Sequence, residues 1–183
     1  MSIFFTSDTH FHHERVIEYG GRPFQNASDM EQQLIANWNA VVRANDRVYH
    51  LGDFSFGSPE KWLSVLSRLN GRIVLVRGNH DAKAVKSPQV RERFEFVADY
   101  LEEKIDGHFV VMQHYALVEW NRAHYGSFML HGHHHGALEA QNASIRRMDV
   151  GMDAFFKGRY APVSWDEVRT ELNKRPALKG TKE

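Results

Sequence analysis

Ile73-Val74-Leu75-Val76-Arg77-Gly78-Asn79-His80-Asp81 is a short apolar run that ends in a polar turn. Ile73 to Val76 has the length and β-branched character of a buried strand, and Gly78 stops it. The same grammar recurs upstream. Ile3 to Thr6 ends at Ser7-Asp8, and Arg47 to Leu51 ends at Gly52-Asp53. Helical patterns lie between. Met30, Leu34, Ile35, Trp38, Val41 and Val42 recur at helical spacing after Ser28-Asp29-Met30-Glu31, which has capping-box spacing. Ser58 caps a further helix with Pro59 at its first position, and Asn70-Gly71 closes it. Alternating strand and helix predict a parallel sheet with crossover helices.

Further along, the pattern turns to strands. Phe94 to Val97, Tyr100 to Ile105, Phe109 to Gln113, Phe128 to His131 and Ile145 to Val150 are candidates, with Asp106-Gly107 as a hairpin turn. Ser164-Trp165-Asp166-Glu167 is a second capping box, opening a C-terminal helix. The expected domain runs over 1–174, with a frayed tail over 175–183 that holds Pro176 and Gly180. No repeat or linker interrupts it. The fold class expected is α/β, a four-layer α-β-β-α sandwich of two mixed sheets flanked by helices.

A chain of 183 residues with formal net charge zero carries no chain-wide electrostatic grip on nucleic acid or an anionic membrane. The absence of cysteine excludes disulfides, thiolate metal sites and cysteine nucleophiles. Met1 to Asp8 lacks a basic n-region and a long apolar run, so no signal peptide is expected, nor is a membrane span. The expected location is cytoplasmic. The 12 histidines are the departure from the ordinary, and several sit in short patterns with Asp, Asn and Gly rather than at a terminus.

Five short patterns occur in order: Asp8-Thr9-His10, Gly52-Asp53, Gly78-Asn79-His80-Asp81, His114, and Gly132-His133-His134-His135. Each follows a strand candidate, and strand ends are where α/β folds gather sites. In an extended segment residues i and i+2 share a side, so Asp8 with His10, and His133 with His135, can each face one centre. Imidazole and carboxylate together suit first-row divalent metals. Two adjacent cations need a shared anionic ligand, and Asp53, ending the middle strand, is the natural bridge. Asn79 offers a neutral oxygen. Two divalent cations against Asp8 and Asp53 leave a positive surplus, which attracts an anion such as phosphate. Metal-bound water, with its pKa lowered to about 7, supplies hydroxide without a serine or cysteine.

The set D-x-H, G-D, G-N-H-D, H and G-H-x-H resembles the signature of the calcineurin-like metallophosphoesterases over about residues 3–153. Thr6 to Phe11, Gly21 to Phe24, Asn37 to Asn39, Val48 to Phe54, Asp149 to Gly151 and Pro162 to Ser164 look like its small bacterial and phage branch. The resemblance implies that Asp8, His10 and His135 bind one metal, that Asn79, His114 and His133 bind the other, and that Asp53 bridges. It implies that His80 protonates the leaving oxygen or stabilises the phosphoryl group, with Asp81 orienting it. The metals of the family are Mn, Fe, Zn, Ni or Mg. After Gly52-Asp53 this chain continues Phe54-Ser55-Phe56-Gly57 where Ser/Thr protein phosphatases carry D-R-G, which argues against that activity.

Gly132 selects His133 and His135 as the G-H-x-H pair and leaves His131 and His134 as spectators. His50 reads as a hydrogen-bonded core residue. His12 and His13 are open between support of the ligands and solvated helix positions. Arg22, Arg122 and His124 are candidates for substrate phosphate, as is Arg77, each against the alternative of a surface charge. Tyr115 and Trp120 are open between pocket wall and core, and Asp149 and Asp153 are expected to support the site region. The expected function is hydrolysis of a phosphomonoester or phosphodiester by metal-bound hydroxide, with a small phosphorylated substrate such as a nucleotide. The alternatives are a nuclease or cyclic-nucleotide phosphodiesterase on the same scaffold, and a non-catalytic metal-binding scaffold. Substrate, metal pair and oligomeric state are left open.

Overall fold

The computed structural model describes residues 1–179. Strands β1 (Ile3–Thr6), β2 (Arg47–His50), β3 (Arg72–Val76) and β4 (Phe96–Ala98) pair in parallel, β1 to β2 to β3 to β4. A second sheet has the order β5 (Tyr100–Ile105), β6 (His108–Gln113), β7 (Phe128–His131), β8 (Arg147–Asp149). Its β5–β6 pair is an antiparallel hairpin turned by Asp106 and Gly107 at φ +44° and +85°, and its other pairs are parallel. A two-residue strand, β9 (Val163–Ser164), closes the first sheet antiparallel to β1 and was not foreseen.

The two-residue period of each strand sorts its side chains into layers. Phe4, Val48, Ile73 and Leu75 face the helices α1 (Glu14–Gly20), α2 (Ala27–Val41) and α3 (Pro59–Leu66), through Val16, Met30, Leu34, Trp38, Trp62 and Val65. Their neighbours Phe5, Tyr49, Val74 and Val76 face the second sheet and pack with Val110, Met112, Phe128 and Leu130. Val111 and Met129 point outward under Trp120 and Ala123. The expected layers are present. The outermost is thin: the 115–127 segment with one 3-10 turn, and the single turn α5 (Glu139–Asn142) against β8. Helix α6 (Trp165–Asn173) inserts Trp165, Val168 and Leu172 into the core between the sheets. A further single turn, α4 (Pro88–Arg91), buries Val90 against α3.

Several expected boundaries move. The α2 cap is Asn26, whose side chain accepts the Asp29 N–H at 2.9 Å, so Ser28 lies inside the helix. Asparagine is as good a cap as serine, and from two residues earlier it satisfies one of the orphan donors at the helix start. Helix α3 ends at Leu66, ahead of Asn70-Gly71. The Ser164–Glu167 capping box is present in full. Arg175, expected in a frayed tail, is buried. Its guanidinium donates to the Asn142 and Arg147 carbonyls and lies 5.2 Å over the Phe155 ring. The rest of that tail from residue 180 lies outside the described residues. Among the described residues, no helix is long and apolar enough to cross a membrane.

Candidate metal centre

The C-terminal ends of β1, β2, β3, β6 and β7 meet at one edge of the sandwich, and each runs into a polar turn. Those turns are not extended. Asp8, His10, Asp53, His133 and His135 have φ of +54°, +50°, +54°, +68° and +47°. The left-handed region costs an L-residue about 1–2 kcal/mol, so the surrounding structure must hold each one there. Crowding explains the glycines. A Cβ on Gly132 would sit 1.9 Å from Ser7 Oγ, and one on Gly78 would sit 2.2 Å from Asp53 Oδ1.

Two groups of donor atoms result, each with its atoms within 4.8 Å of one another: Asp8, His10 and His135, and Asp53, His114 and His133. The expectation that i and i+2 face one centre holds for Asp8 and His10. It fails for His133 and His135: His135 joins Asp8 and His10, whereas His133 joins Asp53 and His114. His131 and His134 stay outside, with their Nδ1 atoms 2.8 Å and 3.2 Å from the Gly132 carbonyl.

Hydrogen bonds leave lone pairs facing one another. His114 Nδ1 donates to the Leu51 carbonyl at 2.7 Å, so its Nε2 is unprotonated when neutral. That Nε2 lies 3.1 Å from Asn79 Oδ1 and 3.6 Å from Asp53 Oδ1. His135 Nδ1 donates to Asp153 Oδ2 at 2.7 Å, and its Nε2 faces His10 Nε2 at 3.3 Å and Asp8 Oδ1 at 3.8 Å. Asp8 Oδ1 is buried without a hydrogen-bond partner. Acceptors converging with no proton between them are a poor arrangement by themselves and a good one around a cation. The donor set fits divalent metals on that ground.

Burial heads the causes of each pKa shift in the cluster. Burial, then the Asp149 charge, pushes the Asp8 carboxyl up to about 8. Burial drives His10 far down, and lowers His114 and His133. Burial also pulls on His135, but its bond to Asp153 and the Asp8 charge outweigh this and raise it.

A family model described as the calcineurin-like phosphoesterase superfamily domain matches residues 1–155. The chain belongs to the calcineurin-like phosphoesterase superfamily. An uncharacterised protein of Methanocaldococcus jannaschii is 37% identical over 170 residues, 90% of this chain and 87% of the relative. The gene 66 protein of Mycobacterium phage D29 is 30% identical over 198 residues, 94% of this chain and 96% of its own. The crystal structure of an Aquifex aeolicus protein of unknown function superposes with a TM-score of 0.70 at 25% identity, over 92% of this chain and 98% of that one.

In this calcineurin-like domain several expected roles change. Arg22 is no surface fork for phosphate. It is buried, donates through Nε and Nη2 to both oxygens of Asp153, and reaches the Asp8 and Thr9 carbonyls at 2.6 Å and 2.9 Å. Arg122 and His124 stand at the wrong end of the second sheet. Arg122 lies 5.2 Å over Phe109 near the start of β6, and His124 stacks on Tyr125 before β7 begins. Each strand residue advances about 3.3 Å, so the length of β6 separates Arg122 from His114. Arg77 pairs with Asp99, Nε to Oδ1 at 2.7 Å.

Asp81 does not orient His80. Its oxygens accept the amides of Asp53, Phe54 and Gly78 at 2.8–3.0 Å, clamping the β2 and β3 turns together, and burial raises it to about 6. His80 is exposed beside the site, with Nε2 3.8 Å from Asp53 Oδ2. Its ring packs 4.6 Å from Phe56, which also packs 4.0 Å from His13 and 5.6 Å from His10. Phe56 was overlooked, because nothing in a lone phenylalanine marks it as a wall. Tyr115 does line the site, its ring 4.6 Å from His133, and Trp120 is core. His12 bonds Glu31 at 2.9 Å and Ser55 at 3.1 Å, away from both groups. Asp149 supports the turns by accepting the Gly136 and Gly151 amides.

Proposed function

We propose that this chain is a phosphoric-ester hydrolase working with two divalent cations, one at Asp8, His10 and His135 and the other at Asn79, His114 and His133, with Asp53 between them. The supporting observation is the Asp53 carboxylate, whose two oxygens face different groups: Oδ2 lies 3.8 Å from His10 Nε2, and Oδ1 lies 3.6 Å from His114 Nε2. When bound, such a pair stabilises charge on phosphoryl oxygens and brings the pKa of coordinated water toward neutrality. The chain's own groups do the rest. The His80 N–H donates to Asp53 Oδ1 at 3.0 Å, which fixes its backbone next to the bridge. Its exposed ring then stands where a leaving group departs. The oxygen of water joins phosphorus, and the bond to the leaving oxygen breaks with its electron pair. His80 Nε2 delivers a proton to that oxygen and is reprotonated from the water's released proton. The substrate in this reading is a small phosphorylated molecule.

The test is hydrolysis of p-nitrophenyl phosphate and bis(p-nitrophenyl) phosphate by chelated protein, then by the same protein given Mn, Fe, Zn, Ni or Mg. Activity should return with a divalent metal and be lost in Asp53→Asn. Removing a proton donor typically costs about 10²–10⁴-fold, so His80→Ala should lose about that much on an alkyl phosphate. It should lose far less on the nitrophenyl ester, whose leaving group needs no proton. Full turnover in the chelated protein would end this reading.

A further inference from the structure

His80 has two neighbourhoods. One is the donor cluster, and the other is a cleft of about 620 Å³ in which His80 forms a wall. Phe56 supplies apolar surface over the buried Trp62 ring, Ser58 a hydroxyl, and Lys83 and Lys86 the charges. Both lysines are exposed, and no carboxylate of the described residues lies within ion-pair distance of either. Glu60, beside Ser58 in the first turn of α3, brings one opposing charge. Ser58 makes no side-chain cap bond to the helix backbone, and its hydroxyl stands against the Glu60 carboxylate, whose pKa that contact lowers. A cleft of this size holds a ligand of nucleotide dimensions.

A proton donor must touch the oxygen it protonates, and in a displacement at phosphorus that oxygen departs on the donor's side. Given His80 as that donor, the leaving group lies in whatever space His80 borders away from the cations. We propose that this cleft is the leaving-group subsite, and that it selects phosphate esters whose leaving group carries a second anion, a phosphate or a carboxylate, for Lys83 and Lys86. The Phe56 ring then takes the apolar body of that group. This rests on the reading of the donor cluster as a hydrolytic centre. It adds the class of substrate: an ester of an already anionic molecule, not of a neutral alcohol.

The experiment compares matched esters on the metal-loaded protein: phenyl phosphate with 3-carboxyphenyl phosphate, and adenosine 3′-phosphate with adenosine 3′,5′-bisphosphate. The anionic member of each pair should have the higher kcat/KM, by about tenfold for a charge contact of about 1.4 kcal/mol. A preference confined to the bisphosphate pair assigns the subsite to phosphate, and one confined to the aryl pair to carboxylate. Lys83→Ala with Lys86→Ala should erase the preference, and the double arginine variant should keep it. Equal kcat/KM within both pairs, or a preference that survives the alanines, overturns the proposal. Binding without turnover separates the two readings. Adenosine 5′-phosphate, the product-like ligand, is titrated while the Trp62 indole resonance is followed by NMR. Weakening about tenfold in the double alanine variant but not in Asp53→Asn would uphold the subsite even if no ester were hydrolysed. No binding, or binding indifferent to the lysines, would overturn it.

Discussion

Asp153 joins a buried guanidinium to an imidazole whose other nitrogen faces the donor cluster. Arg22 holds both of its oxygens, and His135 Nδ1 donates to it at 2.7 Å. That bond sets which ring nitrogen of His135 is free to ligate. Outer partners of this kind are worth about 10–100-fold in metal affinity. Asp153→Asn should weaken divalent metal binding by that factor in a calorimetric titration, and affinity within twofold of the parent would show that His135 needs no such partner. Residue identity and role separate most sharply here. Arg22 was legible as a cation able to fork, but its acceptor lies 131 positions away, and no local pattern announces that it will be buried on it. Arg122 and His124 misled for a related reason: they fall between ligand motifs in sequence, yet β7 must run its length to return to the site.

Among the elements, β2 shows how a strand carries both core and chemistry. His50 is fully buried at its end. Nδ1 accepts the Gly52 amide at 3.3 Å, and Nε2 meets Thr9 Oγ1 at 2.9 Å, whose hydroxyl donates to the Phe54 carbonyl. The network ties the β2 turn to the β1 turn, as the core reading of His50 anticipated. Burial, then the nearby His114, lowers its pKa to about 3. Between that value and the unfolded value of about 6.5 the unfolded chain binds a proton that the folded one refuses, so stability falls as pH drops through this window. In chelated protein, where metal release plays no part, His50→Gln should flatten the dependence of urea midpoint on pH from 6.5 to 4. An unchanged slope would mean that other buried histidines carry it. Strong amphipathic elements such as α2 were readable from apolar spacing alone. The two-residue β9 and the seven-residue α1 were not, since neither is long enough to show a period.

Across the whole molecule, the donor cluster staples two sheets. Asp8, Asp53 and Asn79 follow strands of one sheet, and His114, His133 and His135 follow strands of the other. On the proposed reading, a cation held between them would bind the folded chain and not the unfolded one. At free metal about 100 times Kd this stabilises by about 2.7 kcal/mol, which for a chain of this size is a rise in Tm of about 5–11 °C. Chelation should lower Tm by that much, and identical melting with and without each of the five metals would remove the cations from the centre.

The order of apolar runs, the glycines at their ends and the spacing of Asp, Asn and His determined the layered class and marked out the candidate donor residues. Those features are local, set by strand period, by turn sterics and by which side chains can ligate. Tertiary structure alone decided how His133 and His135 part, that Asp81 and Arg22 turn inward, and that Lys83 and Lys86 share a cleft with His80. Each of these depends on which distant backbone or carboxylate arrives beside the residue, and burial fixes that outcome only once both sheets have closed on their common core.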